Sequence, residues 1–198
     1  MVKYSLDLKK KIKPCSNKVC KSCGLYLFQS PVFDSALIAN VIWVGLSAVA
    51  FEKGIEPLPL SPNTNTGALI SKIEEPLLDS MQFYKTNLVK CAPIKSESGK
   101  IRYPLQHEME KCFPNLEYEL EVISPTVVFL LGKQAAEFVM KKKGVNSFTL
   151  SENFRYKVFE IDGVNYIPVH HPSYILVYKR RLLNKYIKSI QTICKALV

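Results

Sequence analysis

Acid is missing from the last stretch of this chain, and histidine is scarce throughout it. Residues 178–198 carry six Lys or Arg and no Asp or Glu, and the 198 residues hold only three His and one Trp. No apolar run approaches the ~18 residues of a bilayer-spanning helix, so no membrane partner is expected. The N-terminal MVKYSLDLKKKIKPC is basic but has no apolar h-region, so it is not a secretory signal and a cytoplasmic location is expected. The formal charge is +10, and the ends supply all of it. Residues 1–24 carry seven Lys against one Asp, and the stretch from 178 adds six more cations, leaving the body slightly acidic. Two basic ends on a near-neutral body point to a polyanion, because clustered Lys and Arg most often meet phosphate.

What is there reads as one globular domain spanning 1–198, with residues 1–24 as a basic, cysteine-containing segment packed on it. Hydrophobic residues make up 47% of the chain, enough for a core at this length. Asn40–Ser47, Phe83–Cys91 and Thr126–Gly132 read as buried strands, and Arg155–His171 as two strands about the turn Asp162-Gly163. Thr66 is a candidate N-cap for a helix to about Leu78. The stretch from Tyr103 to Ile123 suggests a helix interrupted near Pro114. A helix stopped by Gly144 and a basic amphipathic helix from Tyr174 onward complete the pattern. The expected class is α/β: a three-layer α/β/α sandwich with a central, mostly parallel four-stranded sheet. In such sheets ligands bind at the carboxyl ends of the strands. Gly45–Glu52, Thr86–Cys91, Gly132 and His170–Ser173 would meet there.

Of six cysteines, Cys20 and Cys23 form a C-x2-C knuckle that can turn two thiolates to one metal. Cys91 and Cys112 can complete four ligands, for zinc or for a [4Fe–4S] cluster. Cys15 is either spare or a substitute for one knuckle member, and Cys194 fits a buried thiol.

Taken in order, the motifs resemble the uracil-DNA glycosylase superfamily, and most of all its iron–sulfur "family 4" branch. They are Cys20, Cys23 and Leu25; VGLSAVAFEKG after the first strand; Gly67, Leu69 and Ile70; TNLVKCAP (Thr86–Pro93); Pro104, Glu108 and Cys112; Pro125–Ala136; and HPSYIL (His171–Leu176). The resemblance implies a structural [4Fe–4S] cluster on Cys20, Cys23, Cys91 and Cys112, with zinc as the alternative. It implies DNA as partner, a monomer, and a monofunctional hydrolase that flips a base out and leaves an abasic site. Asn87 would read the base and His171 would stabilise it as it departs, with His170 as strand end or support. Gly45, Leu46, Ser47 and Leu60 would line the base pocket with Asn87. Tyr174, Ile175 and Leu176 would form an apolar wedge, beside Ser173, Lys179, Arg180 and Arg181 on DNA.

Two departures bear on the substrate. Leu46 stands where family 4 has an acidic residue, which leaves Glu52 and Lys53 as possible polar substitutes. Pro57-Leu58 or Pro59-Leu60 stand where it has a stacking Phe. A widened pocket follows, suited to a C5-modified cytosine, hydroxymethylated or glucosylated as in phage DNA, and so to antiviral defence. Uracil excision in base excision repair is the alternative, and an inactive DNA-binding member the second.

Overall fold

Alternate residues of one strand feed two separate cores. Val41 and Trp43 pack with one apolar cluster, Ile42 and Val44 with another, as the period-2 side-chain alternation of a sheet covered on both faces requires. The computed structural model describes residues 23–36, 38–51, 58–94 and 100–198. Its strands are β1 (Val41–Ser47), β2 (Phe83–Val89), β3 (Val127–Leu131), β4 (Phe159–Ile161) and β5 (Val164–Val169), in the order β2-β1-β3-β5-β4. β1, β2, β3 and β5 run parallel and form the expected four-stranded core; β4 adds a fifth, antiparallel strand at the edge. The turn between β4 and β5 has positive φ at both Asp162 and Gly163, the twist-matched two-residue hairpin that Asp-Gly favours.

The helices are α1 (Asn65–Glu74), α2 (Gln106–Ile123), α3 (Lys133–Lys142), α4 (Pro172–Tyr178) and α5 (Leu183–Leu197). α2 and α3 cover one face of the sheet; α1, α4 and α5 cover the other. This is the three-layer sandwich, and among the described residues no helix is long and apolar enough to cross a membrane.

Three local expectations need correction. The cap of α1 is Thr64, not Thr66: its hydroxyl accepts from the Gly67 N–H at 3.1 Å and donates to the Ser61 carbonyl at 2.8 Å. α2 runs through Pro114 without a break. The carbonyl that loses its partner there, that of Glu110, lies with Pro114 on the exposed side, where water can serve it. The C-terminal helix is two helices, parted at Lys179 by non-helical backbone and a 3-10 turn, Arg180–Leu182. No Gly or Pro marks that break, so packing alone sets it.

Candidate active site

A cavity of about 520 Å³ opens at the carboxyl ends of β1 and β2 and reaches the start of α4. β1 supplies Gly45, Leu46 and Ser47, the connection after it supplies Leu60, β2 supplies Asn87, and His171 closes the far side. Residues spread over more than 120 positions are therefore gathered as the sequence led us to expect. Gly45 pairs with Asn87 across the two strands, and a Cβ on Gly45 would lie 2.2 Å from Asn87 Oδ1. Only glycine lets the amide lie against β1. Gly45→Ala is expected to displace that amide and cut turnover on the order of 100-fold. The thermal midpoint should move little, and single-turnover kinetics beside a melting curve checks both.

Beneath Asn87 lies a buried polar network. Lys90 is fully buried and pairs with Glu119, and its ammonium also donates to Thr86 Oγ1 and to the Asn87 carbonyl, each at 2.7 Å. Glu119 accepts further from Tyr84 (2.9 Å) and Thr86 (2.9 Å). Every donor of the ammonium has a partner, as a buried charge demands. The network ties the backbone of Asn87 to α2.

His171 ends the β5 segment and caps α4. Its Nδ1 accepts the Ser173 N–H at 3.2 Å and lies 2.7 Å from the Ser173 hydroxyl. An Nδ1 that accepts leaves the proton of the neutral ring on Nε2, which is then a donor. Gly132, with φ of +85°, permits the close approach: a Cβ there would stand 3.1 Å from that of His171. Burial holds the pKa of His171 below the ordinary value. His170 is lowered as well, chiefly by burial, with Lys179 acting in the same direction and Glu152 opposing. His170 is a support: its Nδ1 meets the Tyr156 hydroxyl at 2.9 Å, and its carbonyl accepts from Tyr186 at 2.8 Å.

A pH dependence follows from these two rings. Their neutral forms are favoured in the folded state, so the unfolded chain binds more protons below about pH 6.5. The stability they contribute is complete above that pH and is lost as pH falls towards their lowered folded values. The melting midpoint should be flat at neutral pH and drop on acidification, and the drop should shrink in His171→Gln.

The DNA-facing assignments divide. Ser173, Arg180 and Arg181 are exposed, while Lys179 pairs with Glu152 at 2.7 Å. Tyr174 is half-buried, stacked on His170 at 5.4 Å between centroids. Ile175 is fully buried in the core of the α1 face, and Leu176 packs against the same cluster. Withdrawing a buried Ile costs about 1.5–3 kcal/mol. Ile175 is a core residue, and the wedge read from Tyr174–Leu176 loses its centre. Val32 escaped the sequence reading, and Phe51 was read only as part of the segment Gly45–Glu52. Phe51 lines the cavity, and it is the only aromatic residue between Trp43 and Phe83. That isolation is the one signal of it in the sequence, and Pro57–Leu60 masks it by offering a nearer match to the motif. Glu52, Lys53 and Pro57 lie outside the described residues.

Cys15 and Cys20 also lie outside the described residues. Cys91 and Cys112 are buried in one apolar cluster with Leu25, and Cys23 packs at its edge. Cys112 Sγ accepts from the Lys90 N–H at 3.3 Å and faces the Asn115 amide at 3.8 Å. Among the described residues no three His, Cys, Asp or Glu side chains converge as a metal site. Cys194 is buried apart, on the inner face of α5, where burial pushes its thiol up to about 12.

With this geometry in place, comparison with known proteins is informative. Residues 29–194 match the Uracil DNA glycosylase superfamily. A type-4 uracil-DNA glycosylase of Archaeoglobus fulgidus is 33% identical over 118 residues, which is 56% of this chain and 56% of that one. Those of Sulfurisphaera tokodaii and Thermotoga maritima are 25% and 27% identical, over 87% and 80% of this chain and 79% of each of theirs. The crystal structure of Pedobacter heparinus SMUG2 shares the fold, with a TM-score of 0.57 at 17% identity over 80% of this chain and 76% of that one. The class that the sequence match defines is the DNA glycosylases, enzymes that hydrolyse a base from its sugar. The chain belongs to the Uracil DNA glycosylase superfamily.

Proposed function

We propose that the protein is a monofunctional DNA glycosylase whose pocket takes a C5-modified cytosine, hydroxymethylated or glucosylated as in phage DNA, in antiviral defence. The observation that carries the substrate reading is the cavity itself. At about 520 Å³ it lies in the range, roughly 300–1,000 Å³, that encloses drug-sized ligands. A bare pyrimidine leaves much of that space empty. The largely apolar lining also includes the polar residues Ser61, Asn63, Thr64 and Thr66. Thr64 is occupied as the α1 cap. Asn63 and Thr66 remain to meet the hydroxyls of a sugar on C5.

In this mechanism the base is extruded into the cavity and the Asn87 amide meets its N3 and C4 edge. As the C1′–N bond breaks, its electron pair passes to the base, and the His171 Nε2–H donates to the pyrimidine O2, where negative charge gathers. Water adds to C1′ of the oxocarbenium-like sugar, and the proton it loses balances the charge of the free base. No carboxylate lies among the described wall residues, and Glu52 lies outside them.

Cys20, Cys23, Cys91 and Cys112 would hold a [4Fe–4S] cluster. The donor set fits: sulfur in an apolar shell, with a backbone N–H and an amide directed at Cys112. Bound there, the cluster would cross-link the N-terminal segment to the chain after β2. Iron and sulfide in the purified protein, with brown colour, are expected; zinc without colour would assign the other metal.

The deciding experiment is abasic-site formation on duplexes carrying uracil, hydroxymethylated cytosine or glucosylated hydroxymethylated cytosine, with Asn87→Ala as control. Cleavage of the modified cytosines is expected. Cleavage of uracil alone would overturn the substrate reading and establish the second one, uracil repair, which the names of the type-4 relatives favour. No cleavage, with DNA binding retained, would indicate an inactive member.

A further inference from the structure

Behind His171 lies a second cavity, of about 380 Å³, bordered by Leu46, Tyr103, Lys133, Ser173 and Tyr174. Tyr103 is the unexpected member. It stands on an extended segment whose pattern is inverted relative to an ordinary surface strand. Ile101, Tyr103 and Leu105 are 45%, 71% and 49% exposed, while Pro104 between them is buried. Arg102, the cation that a DNA-facing segment would be expected to present, is turned inward. It makes a two-pronged ion pair with Glu108 at 2.7 and 2.6 Å and donates to the Tyr103 carbonyl at 3.0 Å. Glu108 also accepts the Leu105 N–H at 2.7 Å, and the Arg102 N–H reaches the Pro93 carbonyl at 2.9 Å. The backbone on both sides of Tyr103 is thus anchored, and its ring is held out into solvent. An apolar stripe held rigidly outward at a site mouth is not there for the fold.

We infer that Tyr103 is the side chain that enters duplex DNA at the gap left by the extruded nucleotide, with Ile101 and Leu105 packing beside it. The inference rests on the glycosylase reading, which fixes where the duplex lies. A strand that delivers its base past His171 must cross the cavity that Tyr103 shares with His171. Lys133 borders the same cavity, and Arg180 and Arg181 are exposed beyond α4, so phosphate is accommodated around it. A tyrosine ring suits this position because it stacks on any base and loses little conformational freedom. It takes the place left by Ile175, which the core has claimed.

The test uses the full-length protein and a duplex in which a fluorescent base, brighter when unstacked, adjoins the target nucleotide. Binding of the wild type should raise the emission, Tyr103→Ala should abolish most of the rise, and Tyr103→Trp should restore it. In single-turnover excision Tyr103→Ala should be slower by about tenfold or more on a paired target. That deficit should shrink several-fold when the target lies opposite an abasic gap, where less stacking must be undone. An alanine variant equal to wild type on paired DNA would overturn the inference, and so would equal deficits on both substrates, the mark of a merely structural role. If the wild type binds DNA but excises nothing, the glycosylase reading fails while the fluorescence arm still decides the role of Tyr103. A wild type that does not bind DNA at all would end both.

Discussion

Replacing His171 with alanine is expected to slow base excision about 100- to 1,000-fold, the usual consequence of deleting one donor aimed at developing charge. DNA affinity should change little, because in the proposed mechanism the ring meets the base and not the phosphates. The expectation is sharper than for a histidine in general. Ser173 fixes the tautomer by donating its N–H to Nδ1, so the proposed donor is Nε2–H of a neutral ring, the form that burial favours. His171→Gln, which retains a donor at the end of a flexible chain, should recover part of the loss. Single-turnover rates at neutral pH, with affinity measured in parallel by anisotropy, test this. A His171→Ala rate within about threefold of wild type, far short of the loss expected for a charge-stabilising donor, would remove His171 from the chemistry.

The largest effect on stability is expected at Lys90. Lys90→Met leaves the Glu119 carboxylate buried without its cation and should cost about 3–5 kcal/mol. It also withdraws the donor that holds the Asn87 carbonyl, so turnover should fall in whatever fraction remains folded. Lys90→Met with Glu119→Leu should recover part of the stability, since replacing both members of a buried pair is far less costly than removing one. Recovery will be incomplete, because Tyr84 and Thr86 then lose their common acceptor. Denaturant unfolding of the single and double variants gives the coupling directly. Additive losses would mean that the pair does not act as a unit.

Much of this was legible in the sequence for definite reasons. The parallel strands announced themselves as short β-branched, apolar runs, and Asp162-Gly163 specified its turn by chemistry that is purely local. Asn87 and His171 could be placed because their neighbours along the chain carry the motif. What stayed hidden was set by distance. Nothing near Lys90 reveals Glu119, twenty-nine positions on, so a lysine in a motif reads as surface charge until the fold buries it. Ile175 sits among residues suited to a wedge, and only the packing of α4 on the sheet shows that the core has taken it. Tyr103 carries no signal of its own; its exposure depends on Arg102 finding Glu108. The edge strand β4, three residues long and paired on one side only, was the element that periodicity counted least securely.

The location of the cavity wall has a consequence for how such an enzyme changes over generations. Asn87 and His171 project from the ends of β2 and β5, where any shift of backbone is resisted by the whole sheet. The wall residues within 48–51 and 58–64 belong to the connection between β1 and α1, which ends at a cap that starts a new helix. Connections of this kind accept substitutions and changes of length far more readily than strands do. Ancestors and descendants can therefore trade one nucleobase for another through that segment while inheriting the bond-breaking apparatus intact. Transplanting it between relatives is the shortest experimental path to a new specificity.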